Sequence, residues 1–495
     1  MSKLLIRLTQ LTLLTSLASL ALGAGCRADK SDDSAATDGT TTDDSTSPGD
    51  DTTDGTTDDG TTDDGTGDDT STVTSPYKGD ATQGLTLTGD RPINVLIVTI
   101  DTLRRDALGF YGGATDATPA LDRLLQESVV LDNHRSCSNW TYPSMACLFT
   151  GRYNELTGFV PRAVDRYPDE PEMMAEILSA AGYQTRAVAA QAVFNNGYNL
   201  SQGYQEIQYD TTWGAPDVVS RVVLQATDLV AGGSPWLLHA HFLDPHVPYT
   251  APESYRDKLD YVGGAVDSTS RSFLADMEDD WEGYDADTRA EVKAELWGLY
   301  NGDVRYVDEA VGGMMGQLAS VGAMDDTLVI LMSDHGEQIW DHDRFEHGQD
   351  LHVEETRGLA ALSAPGLEAG RIDAVTSHVD ILPTVLDLLG IDAVPAEVDG
   401  AVLGSFQSDR PVFASVANDV EVGQSVEIEG DRLIYWWDGR AAFYELGGDA
   451  GEQIDLYPTL DEADDPRLDY LWAVLEPHTE AMVSALGDET ATPIE

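Results

Sequence analysis

Asn94-Val95-Leu96-Ile97-Val98-Thr99-Ile100-Asp101 is the stretch on which the fold turns. Its β-branched, almost continuous apolar run shows no polar alternation, as expected of a parallel strand buried on both faces, and it stops at an acid. Two further runs have the same texture, 235–243 (PWLLHAHFL) and 327–332 (TLVILM). Helical patterns over 120–127, 172–181, 216–231 and 287–321 are interleaved with them. Strands alternating with helices predict an α/β sandwich around a mostly parallel central sheet. Sheets of this kind bind ligands beyond the carboxyl ends of their strands.

The residues at those ends carry the chemistry. The first strand runs into Asp101, the second into Asp244-Pro245-His246, and the third into Ser333-Asp334-His335-Gly336-Glu337. One carboxylate at a strand end is ordinarily a helix cap. Three such ends with two histidines among them point instead to a divalent metal site, with room for a second. Carboxylate oxygen with imidazole suits zinc, manganese or calcium, and the histidines favour the first two. Asp244, before a proline, reads as a turn residue, and His378 as a buried or capping one. His239, His241, His342 and His352 have no motif behind them and read as structural.

Outward from this core the composition changes. Residues 1–26 read as an export signal: Lys3 and Arg7 precede an apolar run, and Gly23-Ala24-Gly25-Cys26 places a cysteine after small residues, as at a lipidation site. Residues 27–90 read as a tether. Between 31 and 80 lie 15 Asp and one Lys, among Thr, Gly and Ser, a composition that buries too little apolar surface to fold and whose charges repel one another. The Asp repeats lack the spacing and terminal Glu of an EF-hand loop. The expectation is a bacterial envelope or extracellular protein whose only membrane attachment is lipid on Cys26. In an exporting compartment Cys137 and Cys147 are free to pair, and two buried thiols are an equal alternative. The whole chain has 88 acidic and 28 basic side chains, a net charge of −60, which excludes nucleic acid and anionic lipid as partners.

VLIVTIDTLRRDALGFYG, starting at Val95, resembles the opening of the sulfatase family, within the alkaline-phosphatase-like superfamily. Four more blocks follow in that family's order: SNWTYPSMACLFTGRYNELTGF, HFLDPHVPYTAPESY, RYVDEAVGGMMGQLASVGAMDDTLVILMSDHGEQ and SHVDILPTVLDLLGI, so that the resemblance covers about residues 92–401. It implies an ester hydrolase of sulfate or phosphate, with small-molecule, glycan or lipid esters as substrates. The chain departs from the family pattern at three places. Thr141 stands where sulfatases carry the Cys or Ser that becomes formylglycine, with Met145 in place of the following Arg. The Gly-Lys-Trp-His stretch after residue 185 is missing, and Thr102 replaces a second metal-binding Asp. Superfamily phosphodiesterases and phosphotransferases use a threonine nucleophile held by the metal, and mapping their pattern assigns Asp101, Thr141, Asp334 and His335 as ligands. The resemblance further implies that His246 assists the leaving group and that His347 contacts substrate or a second metal, with Arg152 supporting the loop after the nucleophile. A hydroxyl beside a divalent cation is a competent nucleophile, which a bare threonine is not.

The catalytic part is thus expected over 91–403 and a smaller α+β part over 404–495, where strand-like runs precede a helical pattern at 468–486 that Pro477 kinks or splits. The readings that compete with a hydrolase are a phosphotransferase, a sulfatase that works without formylglycine, and an inactive binding protein.

Overall fold

A computed structural model describes residues 73–495, apart from 115, 196, 260–276, 278–280, 461–464 and 488–495. The signal, Cys26 and most of the expected tether lie outside the described residues. Segment 81–88, assigned to the tether by composition, instead lies against the folded body: Ala81 and Leu87 bridge to Gln407 and Leu367, and Thr88 N–H donates to the Gly366 carbonyl at 2.8 Å.

The central sheet is built from β1 (Asn94–Ile100), β2 (Val129–Arg135), β3 (Gln184–Ala189), β4 (Glu206–Tyr209), β5 (Trp236–Phe242), β6 (Thr327–Ser333), β7 (Ala360–Ser363) and β8 (Gly370–Ser377). Their order is β8-β2-β7-β6-β1-β5-β3-β4, and only β7 runs antiparallel to its neighbours. The pleat of β1 divides its side chains between two cores. Leu96, Val98 and Ile100 face one core, with the helices Ala215–Gly232 and Ala286–Ser320; Val95 and Ile97 face the other, with the helix Thr141–Thr150. The four expected helices appear within two residues of their predicted limits, at Pro119–Gln126, Met174–Ala180, Ala215–Gly232 and Ala286–Ser320. The last begins where the Asp285 side chain accepts the Thr288 N–H at 2.8 Å, and it buries Leu296, Tyr300, Val304, Val307, Val311 and Leu318 at helical spacing.

A four-stranded antiparallel sheet follows, β9 (Val412–Ala417), β10 (Val422–Ile428), β11 (Asp431–Trp436) and β12 (Ala441–Glu445), covered by the helix Pro466–Leu486. That helix runs without a break through the exposed Pro477, so the expected split does not occur. Its core also takes in Cys137, Cys147 and Tyr153, so the small sheet packs on the segment that carries Thr141. Cys137 and Cys147 are joined by a disulfide, which resolves the alternative left open by the sequence. Among the described residues no helix is long and apolar enough to cross a membrane.

Candidate active site

Register builds the site. Ile100 pairs with Phe242 on one side and Ser333 on the other, so the residues that follow β1 and β6, Asp101 and Asp334, leave the sheet at the same level. Asp101 N–H donates to the Phe242 carbonyl at 2.9 Å, and Thr102, at φ 56°, turns the chain away. Asp334 Oδ1 accepts from the backbone N–H groups of His335 (2.9 Å) and Thr102 (3.2 Å). Both carboxylates are fully buried, and Asp101 Oδ1 and Asp334 Oδ2 accept no hydrogen bond among the described residues.

Thr141 opens the helix Thr141–Thr150 and aims its hydroxyl at this pair. Its Oγ1 lies 3.4 Å from Asp101 Oδ2 and 3.4 Å from His335 Nε2. His335 Nδ1 is 2.9 Å from the Gly336 carbonyl, which fixes the proton there and turns the Nε2 lone pair toward Asp101 and Thr141. The structure therefore brings Asp101, Thr141, Asp334 and His335 together.

It also adds a residue that the sequence reading set aside as structural. His241, on β5 beside Thr99, places Nε2 3.4 Å from Asp101 Oδ2. Asp101, His241 and Asp334 each offer a donor atom, and these atoms lie within 4.8 Å of one another. His241 was misread because it sits inside an apolar run, where only the pleat and the neighbouring strand reveal what it faces. Gln191 was missed as well. It stands in the stretch where the family's Gly-Lys-Trp-His is absent, and its Nε2 donates to Asp101 Oδ2 at 3.3 Å.

His246 and His347 approach from the open side. Their rings are 4.8 Å apart, and His347 is 4.6 Å from the ring of His335. His246 Nδ1 is 2.5 Å from the Val247 carbonyl, and His347 Nδ1 is 2.9 Å from Glu337 Oε1. The remaining candidates make structural contacts. Asp244 Oδ2 accepts the Ala215 N–H at 3.1 Å and so caps the helix Ala215–Gly232, while Arg152 pairs with Glu397 at 2.6 Å. His378 bonds the Arg135 carbonyl at 3.1 Å, His239 packs on Phe149 and Phe194, and His342 stacks on His352.

Electrostatics separates the two carboxyls. Burial disfavours the charge on Asp101, yet nearby His246 and the hydrogen bond to His241 hold its carboxyl well below the usual range. Burial and the charge on Asp101 push Asp334 well above it. Burial, reinforced by His347, lowers His335 to about 3, so its imidazole is neutral. Two buried, facing carboxylates ionise together only around a cation. The orphaned oxygens, the neutral His335 imidazole and the acid-rich donor set fit a divalent metal ion.

The sulfatase family model matches residues 93–391, well over half of the chain. An ulvan-active sulfatase of Formosa agariphila is 27% identical over 346 residues, 62% of this chain and 63% of that protein, so the match spans a little under two thirds of this relative's length. An N-acetylglucosamine-6-O-sulfatase of Bacteroides thetaiotaomicron is 22% identical over 63% of this chain and 70% of its own. Among solved structures, a phosphonate monoester hydrolase of Agrobacterium radiobacter superposes with a TM-score of 0.62 at 20% identity, over 79% of this chain and 96% of that one, which shows a shared fold. With these blocks in order, this sheet and this model match, the chain belongs to the sulfatase family.

Proposed function

We propose that the protein is an exported, metal-dependent hydrolase of sulfate or phosphate esters in which Thr141 is the nucleophile. The observation that carries this reading is the position of Thr141 Oγ1, 3.4 Å from both Asp101 Oδ2 and His335 Nε2 at the start of a helix whose positive end suits an oxyanion. Asp101, Asp334, His335 and Thr141, with His241, would hold the cation. When bound, it supplies the charge that lets both carboxylates ionise, lowers the proton affinity of a neighbouring hydroxyl and withdraws charge from the ester oxygens.

The side chains supply the rest. The Thr141 hydroxyl points at Asp101 Oδ2, 3.4 Å away, which takes its proton and gives it back to Oγ1 when the threonine ester is cleaved. Oγ1 forms the new bond to sulfur or phosphorus, the ester oxygen leaves with its electron pair, and His246 returns a proton to it. His246 keeps one proton on Nδ1 against the Val247 carbonyl, so Nε2 is the nitrogen that exchanges. His347, oriented by Glu337, faces the same space and contacts substrate oxygen. Water then cleaves the threonine ester, with His246 as base. The names of the two relatives, which act on ulvan and N-acetylglucosamine sulfates, support a glycan ester as the substrate class. The basic start, apolar run and Cys26 support export with a lipid anchor.

The test is to purify the chain, measure bound metal, and assay aryl sulfate, aryl phosphate and aryl phosphodiester side by side. At least one should be turned over, with Thr141→Ala losing on the order of 10³-fold in kcat. Full activity in Thr141→Ala, or cleavage of none of the three esters in the metal-loaded protein, would overturn the reading.

A further inference from the structure

With 88 acids for 28 bases, this chain has carboxylates to spare for every arginine, yet two arginines that share one cavity pair with none. Arg105, four residues past Asp101, and Arg357, just before β7, meet no carboxylate within ion-pair distance among the described residues. Arg105 Nη1 and Arg357 Nε are buried and donate no hydrogen bond among those residues. The Arg105 guanidinium lies 4.2 Å from the centre of the Tyr111 ring, and Arg357 Nη2 donates to Asn133 Oδ1 at 2.6 Å, so each is held in place by a neutral partner. Behind them Arg135, 2% exposed, gives Nε to Glu427 at 2.6 Å and also leaves Nη1 without an acceptor. Burial lowers Arg357 to about 9, and Arg135 and Arg105 add to the shift by repulsion.

Arg105 and Arg357 line a cavity of about 310 Å³. The carboxylates at this place are already engaged. Asp106 is bonded twice by Arg104, at 2.9 and 2.6 Å; Glu354 is 3.2 Å from His342; and Asp132 is held by Arg371 at 2.5 and 2.6 Å. We infer that the Arg105–Arg357 cavity is a binding site for a tetrahedral oxyanion of the sulfate or phosphate class, separate from the Thr141 centre.

The chemistry is selective. Planar guanidinium groups with unused N–H donors match sulfate or phosphate oxygens and repel cations. Like charges gathered at one half-buried place are costly unless an anion joins them. The rest of the surface is acidic and repels anions, so these guanidinium groups supply the local positive charge that an anion needs. The inference does not rest on the catalytic reading, because binding is read directly.

Isothermal titration of the intact protein with inorganic sulfate and with inorganic phosphate tests it. A saturable event is expected in the wild type and in His246→Ala, weakened at least tenfold in Arg105→Gln and in Arg357→Gln. Arg105 is half-buried at the start of the one-turn 3-10 helix Arg105–Ala107, so Arg105→Gln decides alone if Arg357→Gln does not fold. A parallel titration with a sulfated tetrasaccharide identifies the source. Tighter binding than inorganic sulfate, lost in Arg105→Gln, assigns the site to a group carried on a glycan, and equal or weaker binding assigns it to the free anion. Affinity unchanged within twofold in the folded arginine variants overturns the inference, as does the absence of saturable binding below ~10 mM.

Discussion

The hydroxyl of Thr99 lies between two buried imidazoles, 2.8 Å from His239 Nε2 and 2.7 Å from His241 Nδ1. One hydroxyl donates to one ring and accepts from the other, so Thr99 fixes which nitrogen of His241 faces Asp101. Thr99→Val keeps the shape and removes this control. Its metal affinity should fall tenfold to about a hundredfold, measured by competition against a chromophoric chelator, if His241 is a ligand. An unchanged affinity would return His241 to a packing role. At this scale Asp101, Asp334 and His335 were legible because each terminates or follows an apolar run. His241, Gln191 and Thr99 were not, because a polar residue within a strand or a loop does not show locally what it faces.

Between elements, the same kind of contact anchors the helix Pro119–Gln126 to the long helix Ala286–Ser320. Asp308 on the long helix accepts the N–H groups of Ala120 and Leu121 at 3.0 and 2.7 Å, satisfying donors that a helix start leaves unpaired. Burial raises its carboxyl from 3.8 to about 6, although those backbone donors pull the other way. An acid raised on folding binds more protons in the native state between these values. Its contribution to stability is therefore largest in acid and is lost as pH rises from about 4 to about 6. Asp308→Asn keeps an acceptor without the charge. The wild type should lose up to about 3 kcal/mol relative to this variant across that window, read from urea unfolding at several pH values. A difference that stays flat with pH would show that Asp308 ionises freely in the fold.

On the scale of the molecule, a net charge of −60 must be accommodated. The Asp-rich stretch carries part of it, and the folded body is acidic as well, so repulsion among surface carboxylates opposes compaction. Raising potassium chloride from ~0.01 M to ~1 M shortens the screening length from about 30 to about 3 Å. The midpoint of thermal unfolding should then rise by at least ~2 °C, and a midpoint that falls with salt would mean that paired surface charges dominate instead. The sequence by itself determined the strands β1, β5 and β6 with the four helices between them, the acidic ends of β1 and β6, and the identity of Thr141, because hydrophobic period and chain punctuation are local properties. The tertiary structure alone decided that His241 shares the site with Asp101 and Asp334, that Cys137 meets Cys147, that segment 81–88 joins the body, and that Arg105 and Arg357 converge. Each of these depends on sheet register or on packing between residues distant in the chain, and no local pattern encodes those distances.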